Sequence, residues 1–440
     1  MKNSKMLLSV LITLLCANLL ISCKNMKTTD TSLNPFSNGG DERNMIVVMS
    51  DIHLGADSAY TECKKNLGAL EHLLNQIRVA DNVKELVIAG DLLDEWFVPA
   101  PVNTYAGKDQ ADFVKRIATA NKGVIDAFNN IIQDKKILVT YVPGNHDLTI
   151  TAANVESILP GINQVRDNVL GLGTYSPADY PTIAIEHGHR YNFFCAPDYA
   201  SNQDIAPGTI LPPGYFYTRI AALWVSQGFP PASNTVPEIT PNSKGGESQE
   251  ALYKYWKSWK NTLNLYTIQN SFTDKIIVTN LNGMNGNFAV NDLLPYQASP
   301  GEQINVNLYN GIQDSWETRQ TTNNVPVHIP VIRAIDSVGS DGETDHQASL
   351  QYFMNPDSNK KIVIFGHTHV YRIIPMQNYK GEKCVYANSG TWIDHNPGRV
   401  SRTFVVVTPQ SGDASSQTYV KLYNFENEVV TEMAKDSLRY

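Results

Sequence analysis

The sequence predicts an α/β fold, and two patterns predict it. Strand-length apolar runs rich in Val and Ile recur along the chain, with stretches between some of them that carry apolar residues at helical spacing. The runs also close on residues able to do chemistry. "MIVVMSDIH" ends in Asp51 and His53, "ELVIAGDLLD" in Asp91 and Asp94, and "ILVTYVPGNHD" in Asn145, His146 and Asp147. "TIAIEHGH" ends in His187 and His189, and "KIVIFGHTH" in His367 and His369. In open α/β sheets, ligand sites lie beyond the carboxyl ends of the strands, where all five clusters fall.

The chain opens with Lys2 and Lys5, an apolar run from Met6 to Ile21, and "LISC" at Leu20 to Cys23. That run is shorter than the roughly 20 residues a membrane-spanning helix needs. A basic start, a short apolar core and a small residue before the cut read as a secretory signal. The Leu-Ile-Ser-Cys ending resembles the bacterial lipoprotein signal. It implies a signal peptide over residues 1–22, lipidation of Cys23, and an exported protein anchored at the cell envelope. A plain signal peptide or short anchor is the alternative. Residues 23–44 are polar and rich in Gly, Ser and Asn, as expected of a flexible tether. Cys63, Cys195 and Cys384 remain beyond it; an odd number with no metal-type spacing predicts free thiols.

Helical spacing follows over Lys64 to Arg78 (Leu67, Leu70, Leu74, Ile77) and over Phe113 to Ile132. The 180 residues between His187 and His367 are too many for one connection. Residues 198–359 are therefore expected to form a mainly helical or irregular insertion, with helices in "YFYTRIAALWVSQG" and "QEALYKYWKSWKNTLNLY". Residues 45–197 and 360–440 would carry the site, the latter through further strands such as "TFVVVT". A net charge of -8 and a pI near 5.7 argue against a nucleic-acid-binding surface.

Asp51-x-His53 and His367-x-His369 place two ligands on one side of an extended backbone. Carboxylate oxygen, imidazole nitrogen and the Asn carbonyl make a mixed oxygen/nitrogen set for a metal. Each pattern alone is commonly a turn or a structural histidine; five in one order are not.

Together D-x-H, G-D-x-x-D, G-N-H-D, H-G-H and G-H-T-H resemble the calcineurin-like metallophosphoesterases. The resemblance implies a β-sandwich flanked by helices (αββα) with two divalent metal ions, Mn, Fe, Zn or Mg, at the strand ends. It implies that Asp51, His53 and His369 hold one ion, that Asn145, His187 and His367 hold the other, and that Asp91 bridges them. Two such ions lower the pKa of a water to about 7 and grip phosphoryl oxygens. By the same resemblance His146 contacts the phosphate or protonates the leaving oxygen, with Asp147 orienting its imidazole. His189, Trp96 and Arg399 are candidate substrate contacts. "GDLLDEWF" locally resembles hydrolases of the UDP-2,3-diacylglucosamine pyrophosphate bond. The expected activity is hydrolysis of a phosphate mono- or diester or a pyrophosphate, in a small molecule or lipid. The alternative is a non-catalytic envelope lipoprotein that uses the scaffold to bind a glycan, lipid or protein.

Overall fold

The computed structural model describes residues 34–410 and 416–439. The signal segment and Cys23 lie outside them. Two sheets stack face to face. The first has seven strands: β1 (Met45–Met49), β2 (Val83–Ala89), β3 (Leu138–Val142) and β4 (Asn163–Gln164), all parallel, then β13 (Thr403–Thr408), β14 (Thr418–Glu426) and β15 (Val429–Leu438) added antiparallel beyond β1. The second has four: β5 (Ile183–Ile185), β10 (Ile362–Phe365), β12 (Lys383–Asn388) and β11 (Arg372–Gln377). Helices α1 (Leu67–Arg78), α2 (Gln110–Ala120), α3 (Lys122–Asp134) and α4 (Ala152–Ile158) fill the connections of the first sheet.

The layering follows from side-chain alternation. Ile46 and Val48 of β1 face the second sheet, joining Val87, Ile185, Ile364, Val385 and Val405 in a dry inter-sheet core. Met45, Val47 and Met49 face the other way, in the core that also holds Leu70, Leu74 and Ile77 of α1 and Phe128 of α3. Strands buried on both faces read as continuous apolar runs, which is why the pattern is not alternating. Each fully buried Val, Leu or Ile contributes about 1.5–3 kcal/mol.

Two expectations need correction. The helix read over 113–132 is two helices, broken at Asn121, whose side chain donates to Gly55 O and Ile117 O. An amide that bonds backbone in this way competes with helix continuation. The tether read over 23–44 docks through Phe36, which is buried with its ring stacked 5.8 Å from Phe404, while residues 37 and 39–42 are exposed. One aromatic ring on a sheet face outweighs the polar composition around it.

Between β5 and β10 lie α5 (Pro213–Ser226), α6 (Gly246–Leu265), the hairpins β6 (Ile277–Leu281)–β7 (Met284–Phe288) and β8 (Tyr296–Gln297)–β9 (Ile304–Asn305), and several shorter helices. Tyr215, Phe216, Trp256 and Trp259 form the core of this region. Arg219 fastens it to the strand-end loop after β2. Its buried guanidinium donates to Val98 O at 2.6 Å, Pro99 O at 3.1 Å, Ala100 O at 3.0 Å and Val102 O at 2.6 Å. No helix among the described residues is long and apolar enough to cross a membrane.

Candidate metal centre

Backbone bonds lash the strand ends together. Asp51 N donates to Gly90 O at 3.1 Å and His53 N to Asp91 O at 2.9 Å. His367 N donates to both carboxylate oxygens of Asp51 at 3.1 Å, and His146 N to Asp91 Oδ1 at 2.8 Å. Carboxylates held by N–H groups are positioned and kept ionised.

Two knots of ligand atoms result. In one, His369 Nε2 lies 3.2 Å from both His53 Nε2 and Asp51 Oδ1. In the other, Asn145 Oδ1 lies 3.1 Å from His187 Nε2 and 2.9 Å from His367 Nδ1. Asp91 Oδ2 stands between them, 3.6 Å from His53 Nε2 and 3.2 Å from His187 Nε2.

The donor chemistry fits divalent cations. His187 Nδ1 is 2.8 Å from Ala89 O, so it carries the proton and donates it there. His53 Nδ1 lies 3.0 Å from Asp94 Oδ2 and 3.3 Å from Glu62 Oε2, and donates likewise. With both Nδ1–H groups committed, each ring turns its Nε2 into a cluster of oxygens. Lone pairs pointed at acceptors repel unless a proton or a cation lies between them. Burial opposes protonation of His187, yet Asp91 and Asp51 carry it up to about 9. Burial would raise Asp91, but the imidazoles of His187, His146 and His53 hold it well below the carboxylate range.

The candidate ligands do not sit on extended backbone, as the two-residue spacing suggested. Asp51, His53, Asp91, His367 and His369 all have φ between 51° and 72°. Left-handed backbone at non-glycine residues costs energy and clusters at functional sites. Close approach demands glycine nearby: at Gly90 (φ +91°) a Cβ would sit 2.4 Å from His187 Nδ1, and at Gly144 2.1 Å from Asp91 Oδ1.

Asp147 does not orient His146. Its Oδ1 accepts from Gly144 N at 2.6 Å and its Oδ2 from Leu92 N at 2.8 Å and Leu93 N at 3.2 Å, so it ties the second and third strand-end loops together. The orienting carboxylate is Asp94, whose Oδ1 is 2.9 Å from His146 Nδ1. Burial disfavours charge on His146, but Asp94 and Asp91 raise it above its ordinary value. Glu62, unremarked in the sequence, is the missed group; nothing around it marks it as a neighbour of His53.

The remaining candidates separate. Trp96 is buried with its ring centroid 4.9 Å from that of His146. His189 is buried beside His187, ring centroids 5.4 Å apart, and burial holds it well below the usual imidazole value. It does not line the cavity described next. Nor does Arg399, which is ion-paired with Asp341 at the surface: an exposed basic residue takes the nearest exposed acid.

A cavity of about 380 Å³ opens directly on Asp91, Asn145, His146, His367 and His369. Its outer wall comes from the insertion, with Tyr217 and Thr218 of α5 and Ser258, Asn261 and Leu265 of α6.

A family model described as calcineurin-like phosphoesterase matches residues 45–211, which include the first four motifs but not the fifth. No curated relative matches the chain.

Proposed function

Because the chain belongs to the calcineurin-like phosphoesterases, and so to the phosphoric ester hydrolases, we propose that it cleaves a phosphate ester or pyrophosphate with two divalent ions. Asp51, His53 and His369 would hold one, Asn145, His187 and His367 the other, and Asp91 both. The carrying observation is the convergence of His53 Nε2 and His187 Nε2 on the Asp91 carboxylate, with Asn145 Oδ1 beside His187 and both Nδ1 protons committed elsewhere.

Ions in these places supply an acidified water and positive charge for the phosphoryl oxygens. The protein's own residues do the rest. Asp51 and Asp91 are pinned by backbone N–H groups, so the ligand cage needs little reorganisation. Asp94 fixes the His146 ring and favours its protonated form, leaving Nε2–H to give its proton to the departing oxygen. Trp96 packs against that ring and limits its rotation. In this reading the enzyme works at the cell envelope of a bacterium, tethered through lipid on Cys23.

Protein lacking residues 1–22, loaded with Mn²⁺, should release nitrophenol from p-nitrophenyl phosphate or its bis-ester, and Asp91→Ala should abolish the release. Elemental analysis should give two ions per chain. No turnover of either ester by metal-loaded protein would defeat the proposal. Cys23→Ser in the full chain should remove incorporation of labelled fatty acid.

A further inference from the structure

The hydrolase reading leaves open which group the phosphate is attached to, and the outer wall of the cavity narrows it. Two insertion helices turn one face each toward the metal end. On α5 that face is Gly214, Tyr217 and Thr218, spaced i, i+3, i+4; on α6 it is Ser258, Asn261, Thr262 and Leu265, spaced i, i+3, i+4, i+7. Both helices bury aromatic and aliphatic residues elsewhere, yet these faces are hydroxyls and an amide, with Leu265 59% exposed.

Three of the four hydroxyl protons are already used. Thr218 Oγ1 donates to Gly214 O at 3.0 Å, Ser258 Oγ to Lys254 O at 3.3 Å and Thr262 Oγ1 to Ser258 O at 2.9 Å. What these groups offer a ligand is oxygen lone pairs. Asn261 is exposed and its side chain makes no hydrogen bond among the described residues, so its amide offers both a donor and an acceptor. None of the described residues lining the cavity is a lysine or arginine.

An acceptor-rich wall without a cation suits a ligand that brings its own O–H donors. It does not suit a second phosphate or a carboxylate, which would face lone pairs with nothing to neutralise it. Trp96 and Phe194 add apolar surface against which C–H groups pack. Resting on the hydrolase reading, we propose that the natural substrate is the phosphate ester of an uncharged, hydroxyl-bearing group, a sugar or polyol. The metal ligands would grip the phosphoryl end, and Thr218, Ser258 and Asn261 would hold the hydroxylated end.

The test compares, on Mn²⁺-loaded protein lacking residues 1–22, hexose and glycerol phosphates, vesicles containing phosphatidylinositol, a nucleoside diphosphate and p-nitrophenyl phosphate. A sugar or polyol ester should exceed the nucleoside diphosphate in kcat/KM by about tenfold or more, whether free or in a lipid headgroup; the two arms tell those sources apart. Asn261→Leu, at an exposed helix position, and Thr218→Val should each lower the ratio of sugar-ester to nitrophenyl-ester kcat/KM by about tenfold. Independently of turnover, hexose phosphate should change the tryptophan fluorescence of metal-free protein, and Asn261→Leu should weaken that response. Cleavage of the nitrophenyl ester with no preference for hydroxylated esters, or an unchanged ratio in both variants, overturns this proposal and leaves the hydrolase reading standing. Failure on every ester, the nitrophenyl ester included, removes both.

Discussion

Asp94 Oδ1 lies 2.9 Å from His146 Nδ1, while the same carboxylate reaches His53 Nδ1 through its other oxygen at 3.0 Å. One side chain therefore sets the tautomer of a proposed metal ligand and of the proposed proton donor. Asp94→Asn should lower kcat by about 10–100-fold, even at saturating Mn²⁺. Asp94 raises His146, so its loss should also move the alkaline limb of the pH–rate profile to lower pH, because the acid is deprotonated sooner. A profile unchanged in position would show that His146 is not the group being titrated.

Asp147 should behave differently. It accepts three buried backbone N–H bonds, so Asp147→Ala leaves three donors without a partner and should cost about 3 kcal/mol or more in urea unfolding. Its effect on the pH–rate profile should be small beside that of Asp94→Asn.

Gly90 admits no side chain. Gly90→Ala would place a methyl 2.4 Å from His187 Nδ1 and force an L-residue to φ +91°. The ring must shift off Ala89 O, so elemental analysis should find less Mn²⁺ bound per chain than in the native protein, with turnover down by about 10–100-fold.

Metal should stabilise the fold. A cation held by these oxygen and nitrogen donors binds the native state alone, which adds about 2.7 kcal/mol at a concentration 100 times Kd. Calorimetry should record a higher Tm in Mn²⁺, and Asp91→Ala should remove most of the rise.

Glu343 offers a pH effect unrelated to catalysis. Burial pushes its carboxyl up to about 8, although Asn192 Nδ2 donates to it at 3.0 Å. The folded state therefore holds this proton more tightly than the unfolded chain does. The associated stability is fully present below the ordinary glutamate pKa and is lost as pH rises to about 8. Glu343→Gln should flatten that decline, giving a higher Tm than the native chain at pH 9 and little difference at pH 4.

The strand ends were legible because burial on two faces and a gathering of side chains able to hold a metal both leave marks in the sequence. "MIVVM" cannot be solvent-facing, and acids or imidazoles directly after such runs stand out. What proximity in sequence could not tell was which acid serves which ring. Asp147 follows His146, but Asp94, 52 residues earlier, reaches it, because the loop after β2 folds back over the loop after β3. The helix-face spacing of Ser258, Asn261 and Thr262 is also present in the sequence, but the aromatics interleaved with it mark only the helix's buried side. Arg219 sat in plain view as one guanidinium in an otherwise apolar helix.

That guanidinium has a mechanical consequence. Four carbonyls of residues 98–102 surround it, so prising α5 away from the loop after β2 would leave a charge stranded in a dry interior. The roof over the catalytic floor is riveted rather than hinged. Tyr217 and Thr218, on the same helix, are therefore carried at a set place over the cavity that Asp91 and His146 line.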